Sequence, residues 1–95
     1  MTTTARYRLA SEQLSYNAES GKFHWRLDLP HRGIQAGDSA GFLDAWGYLR
    51  VKISCKTLPL HKLAWYLTHG EIPKSLKHLD GNRVNNRMAN LFKRA

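Results

Sequence analysis

Between Gly47 and Gly70 the apolar residues change their period, and that change restricts the fold more than any other feature of the chain. In "GYLRVKI" Leu49, Val51 and Ile53 alternate with Tyr48, Arg50 and Lys52, the period of two that a half-buried strand requires. "SCK" then turns the chain into "TLPL", a short further strand. In "PLHKLAWYLTHG" Leu60, Leu63, Ala64 and Leu67 recur at i, i+3, i+4 and i+7, the stripe of an amphipathic helix. Gly70 supplies the stop, and Pro73 forbids resumption of the helix in the following loop. Upstream, "GFLD" and a turn at "DAWG" predict a hairpin partner for the strand. This succession predicts an α+β fold in which a small antiparallel sheet packs on one helix, with Trp65 and Tyr66 as packing residues.

Earlier segments are read by the same rules. "SGKFHWRLDL" alternates, placing Phe23, Trp25 and Leu27 on one face and Lys22, His24 and Arg26 on the other. "PHRGIQAGDSAG" has no period and is expected to be an extended loop, able to touch a ligand. Residues 1–6, "MTTTAR", are small and polar and are expected to fray, ahead of a short helix in "LASEQLSYN" with Ser11 as its N-cap and Leu9 and Leu14 as apolar contacts. The expected organisation is an N-terminal arm over 1–15 and one domain over 16–95, divided into sheet plus helix (16–73) and a hairpin (74–95). A chain of 95 residues has room for one modest core.

Lysine and arginine number 15 against 7 acidic residues, a net charge of +8, which points to an anionic partner. Nucleic acid leads. A membrane surface would call for a basic amphipathic helix or a lipidation signal, and no run reaches the roughly 18 apolar residues of a span. The single cysteine, Cys55, cannot close an intrachain disulfide or build a cysteine-based zinc site, and the histidines at 24, 31, 61, 69 and 78 contain no i, i+4 pair. A reducing, cytoplasmic setting is the expectation. Lys22, His24, Arg26, Arg50 and Lys52 are candidate nucleic-acid contacts on strand faces, with Arg32 in the 31–38 loop; the other reading of such faces is solvation. His61, at the helix start, is either a phosphate contact or a structural histidine.

The most polar stretch is "KHLDGNRVNNRMANLF", residues 77–92. "SLKHL" and "ANLF" predict two short strands joined by a loop that Asp80 and Gly81 turn. Asn90 would then lie near His78 across the ladder. An asparagine carbonyl accepting from one imidazole nitrogen would fix the tautomer and leave the other nitrogen to take a proton from water, so His78 and Asn90 form a candidate general base and its orienting partner. A histidine held in a turn by side-chain amides is the alternative.

The segments "GKFHWR", "AGDSAG", "GYLRVKI", "LHKLAWYLTHGEIP" and "HLDGNRVNNRMANL", in that order over about residues 16–94, resemble the small HNH endonucleases of phages and mobile elements, including the homing-type proteins. The resemblance implies a ββα-metal hairpin and helix, and hydrolysis of a DNA phosphodiester assisted by Mg²⁺ or another divalent cation. It assigns His78 as general base and Asn90 as its orienting residue, and places Asn86 and Arg87 in the polar loop. Lys62, Lys77, Arg83 and Arg87 are then expected on double-stranded DNA beside His61.

Two positions depart from the family. Lys77 stands where an aspartate ligand usually precedes the base, and the usual helix with the second ligand, which would follow Asn90, is not reached before Ala95. An ammonium at 4 Å from a cation opposes it by roughly 4 kcal/mol per unit charge at an effective dielectric near 20. Asp80, two residues from His78, is the candidate replacement ligand. The expected function is a DNA-binding protein on an HNH-like scaffold whose catalysis is impaired. An active endonuclease or nickase using His78, and a phage-encoded inhibitor of a host protein, are the alternatives. A monomer or a homodimer is expected, the latter because Leu76, Leu79, Leu91 and Phe92 form an apolar hairpin face to be covered.

Overall fold

A computed structural model describes residues 2–93, so expectations for Met1 and for 94–95 lie outside the described residues. The chain begins with α1 (Thr3–Gln13) and runs directly into β1 (Leu14–Asn17), which pairs antiparallel with β2 (Lys22–Trp25). A 3-10 turn at Pro30–Arg32 interrupts the long loop that follows. Then come β3 (Phe42–Leu43), β4 (Leu49–Ile53) and β5 (Lys56–Pro59), an antiparallel sheet with β4 in the middle. Next is α2 (Leu60–His69), and last a hairpin of β6 (Leu76–His78) and β7 (Leu91–Lys93), with a 3-10 turn at Met88–Asn90 between them.

The change of period at residues 47–70 produces the expected centre of the fold. Val51 and Ile53 point inward and are buried, and Leu60, Leu63 and Ala64 of α2 close over them. Truncating a fully buried leucine such as Leu63 to alanine typically costs about 2–5 kcal/mol. The helix ends as its sequence requires. Gly70 takes the left-handed conformation (φ 76°) and returns its N–H to the Tyr66 carbonyl at 2.8 Å. Tyr66 packs partly buried on the core and meets Tyr7 edge-on, while Trp65, also half-buried, donates its indole N–H to Glu71 at 3.0 Å.

The fold is α+β as expected, and among the described residues the N-terminal helix starts earlier than expected and joins α2 in the core. Residues 3–6, expected to fray, begin α1, and the cap is Thr2, whose Oγ1 accepts from the Ala5 N–H at 3.0 Å. Ser11, expected as the cap, lies inside the helix and donates to the Arg8 carbonyl. The tertiary partner explains the difference. Tyr7 and Ala10 are buried, and α1 packs on α2 and β4, so the core stabilises a helix whose own apolar stripe is thin. Leu14, expected as an apolar contact within that helix, instead opens β1 opposite Trp25.

Phe23 and Trp25 face the core as the alternation predicts, but the strand ends at Trp25, leaving Arg26 in a bend and Leu27 half-buried beyond it. The expected apolar face of the final hairpin is divided. Leu91 is buried and Leu76 packs partly against the core, whereas Leu79 and Phe92 stay exposed.

Candidate active site

The polar hairpin owes its shape to one carboxylate. Asp80 Oδ1 accepts from the Asn82 N–H (2.8 Å) and from the Asn90 amide (3.0 Å), and Oδ2 accepts from the Asn85 amide (2.9 Å). Its own N–H donates back to Asn90 Oδ1 at 3.1 Å. The Asn85 amide, the Asn82 N–H and the Asn90 amide, in that order, hold the Asp80 carboxyl below its ordinary pKa. Asn90 also donates to the Asn85 carbonyl at 2.8 Å, so its side chain is engaged wholly within the loop.

Asn90 therefore does not orient His78, the role its spacing suggests. The Cα partner of His78 across the ladder is Leu91, and the preceding Asn90 turns its amide into the loop. Asn86 takes the place. Its Oδ1 lies 2.9 Å from His78 Nε2, and the residue is 1% exposed. A carbonyl oxygen requires a donor opposite it, so Nε2 carries the proton and Nδ1 keeps the lone pair, the arrangement a general base needs. Asn86 is held from behind by the first hairpin: the Tyr16 hydroxyl donates to its carbonyl, and the Met88 N–H reaches the Ala18 carbonyl at 3.0 Å.

On its other side His78 meets aromatic rings. The His61 ring lies 5.2 Å from that of His78 and 5.2 Å from that of Tyr48, on which it stacks. Arg83 covers the Tyr48 ring at 4.8 Å. Of the two roles open to His61, the phosphate contact would need an accessible ring N–H, but the ring is buried and its Nδ1 has no hydrogen-bond partner. Burial first, then the nearby charges of His78, Lys62 and Arg50, push its pKa down to about 4, so it is a neutral structural ring.

A furrow runs past this cluster. One part, of about 410 Å³, is lined by Tyr48, Lys77, His78 and Arg83; a second, of about 310 Å³, by Tyr48, Arg50, His61, Lys62 and Lys74. They share Tyr48, Ser75 and Leu76 and so adjoin. Of the expected nucleic-acid contacts, Arg50, His61, Lys62, Lys77 and Arg83 thus come together. The others do not. Lys22 and Arg87 line a different cavity with Asn82 and Asn85, and His24 lines a depression with Glu19. Arg32 lies over Trp25 at 5.3 Å and donates to the Lys52 carbonyl, a packing role, while Arg26 and Lys52 are exposed outside the furrow. Sequence reasoning missed Lys74, whose loop position carries no periodic signal, and Asn86 as the partner of His78.

Residues 59–93 match a family model described as HNH endonuclease. Over this segment, 35 of the 95 residues, the chain is similar to the HNH endonucleases. No curated protein and no solved structure matches the chain. The match opens on Pro59, just before α2, and takes in His61, Lys62, the whole 76–93 hairpin and its Asp80-centred loop.

HNH chemistry implies a divalent cation, and the donors here can be tested for it. Asp80 has three of its roughly four lone-pair directions occupied, His78 Nε2 is engaged by Asn86, and Lys77 brings a cation to the same cavity. Among the described residues no three His, Cys, Asp or Glu side chains meet in a cluster able to hold a metal. The described residues do not fit a protein-held metal. Asp80 is the brace of the loop, with at most one oxygen direction to offer. No helix of the described residues is long and apolar enough to cross a membrane.

Proposed function

We propose that this HNH-like domain binds double-stranded DNA, seating the phosphodiester backbone in the furrow between Arg50 and Arg83, and that it does so without a complete metal centre of its own. One observation carries the reading: Arg50, Lys62, Lys74, Lys77 and Arg83 line two adjoining cavities that meet at Tyr48. Lysine and arginine side chains along one groove neutralise successive phosphates and release their counterions, which is the main source of backbone affinity. Arg83 is placed for this by its stack on Tyr48, and Lys77 is exposed beside His78.

A second reading, an active endonuclease or nickase, is favoured by the His78–Asn86 pair. The imidazole has the tautomer of a general base, with Nδ1 able to take a proton from a water attacking phosphorus, and Lys77 and Arg83 can offset the added negative charge. The experiment that separates the readings incubates supercoiled plasmid with the protein and Mg²⁺ or Mn²⁺, beside a His78→Ala variant, and measures binding by gel shift in parallel. The binding reading expects both proteins to retard DNA and neither to nick it. Nicking by the wild type that the variant lacks would establish the second reading, and absence of retardation would sink the first.

A further inference from the structure

We propose that Trp46 is a stacking platform for a nucleobase adjoining the phosphates held in the furrow; this rests on the nucleic-acid reading and extends it from backbone to base. Trp46 is the most exposed large apolar side chain among the described residues, 72% accessible at the tip of the β3–β4 hairpin. A mobile exposed indole would mean little, but this turn is braced. Asp44 Oδ1 accepts from the N–H groups of both Trp46 (2.8 Å) and Tyr48 (3.0 Å), and the Asp44 N–H donates to the Tyr48 carbonyl at 2.8 Å. Arg83, from the His78 hairpin, donates to the Trp46 carbonyl while its guanidinium covers Tyr48.

The turn and the active-site hairpin are thus tied at the residue that lines the furrow. Trp46 lies two residues from Tyr48, so their Cα atoms are no more than about 7 Å apart. An exposed indole on a turn that adjoins a cationic groove suits a ligand that is anionic along its backbone and flat and apolar in its bases. Charge complementarity selects the occupant. A second copy of a chain carrying +8 would bring like charge to this face, whereas a nucleic acid brings phosphate to Arg83 and a base to the indole. The bond from Arg83 reaches the main chain, so it survives replacement of the Trp46 side chain.

The test uses the full chain, a short DNA duplex carrying one unpaired adenine, and the same duplex fully paired. Trp25 is buried but Trp65 is only half-buried, so the emission is read in a Trp65→Phe background, where acrylamide-accessible tryptophan emission reports on Trp46. On binding the unpaired-base duplex, that emission should be quenched and shielded from acrylamide. Trp46→Ala should weaken binding by roughly 5- to 150-fold and Trp46→Phe by only a few-fold, corresponding to the energy of one base–aromatic stack. An unchanged thermal melt would show that the variants fold.

If the wild type binds with a steep salt dependence and Trp46→Ala binds equally well, the platform is wrong while the DNA reading stands. If neither protein binds either duplex, both fall. Shielding of Trp46 on raising protein concentration without DNA would assign the indole to a second copy and overturn the proposal.

Discussion

Protonating His61 would place a charge on a ring that is 7% exposed and stacked on Tyr48, beside a second imidazole and close to Lys62 and Arg50. Only Asp44 acts in the opposite direction. With a pKa of 6.5 in the unfolded chain and about 4 in the folded one, the unfolded state takes up its proton first as pH falls. The neutral-ring contribution is therefore fully present above pH 6.5 and disappears on going down to about 4; the whole shift corresponds to about 3 kcal/mol. Asp44, Glu71 and Asp80 have carboxyls held below their ordinary values, so the contribution of Glu71 begins to fall only below pH 4.5 and those of the two aspartates only below 3.8, leaving most of this window to His61. His61→Phe keeps a ring on Tyr48 and removes the titration. Urea unfolding at pH 7, 5.5 and 4.5 should show the wild type losing stability across the series and the variant staying nearly level. Parallel losses would mean that His61 is charged or solvated in the fold.

The turn between β1 and β2 acts at a distance on the His78 hairpin, and Gly21 is where the two touch. Its φ is +73°, and a Cβ there would overlap the Arg87 nitrogen and lie 2.6 Å from the Asn86 carbonyl carbon, both backbone. Gly21→Ala should destabilise the protein by about 2–4 kcal/mol, combining left-handed backbone strain with an overlap that rigid main chain cannot relieve. It should also move Asn86 away from His78, read as a change in the His78 ring resonances by NMR. A variant as stable as the wild type, with His78 unmoved, would show that the two elements are not coupled. This coupling also marks what is legible in the sequence. The β4, β5 and α2 segments can be read because their apolar periods run uninterrupted and end in turn residues. Helix α1 cannot, because only Tyr7 and Ala10 are buried on it and their partners lie far along the chain. His78 is legible as the central residue of the site, but the choice between Asn86 and Asn90 is not. It depends on which amide the Asp80 carboxylate captures, a property of the closed loop.

At the scale of the whole molecule a charge of +8 makes some salt dependence inevitable, so the informative quantity is which cations produce it. The furrow collects five: Arg50, Lys62, Lys74, Lys77 and Arg83. If each meets one phosphate, log K against log salt should have a slope near −4.5, roughly a 500-fold loss between 50 and 200 mM. Arg50 is already 3.8 Å from the Asp44 carboxylate, so part of that charge is offset before DNA arrives and a slope nearer about −4 is expected. Two double variants locate the contribution. Lys62→Ala with Lys77→Ala removes furrow cations, whereas Arg26→Ala with Lys52→Ala removes the same formal charge from exposed residues outside it. The first pair should flatten the slope by nearly 2 and the second should leave it almost unchanged. Equal flattening by both would mean that DNA meets a diffuse field of positive charge rather than this groove, and that the aromatic cluster around His78 lies beside the binding path rather than in it.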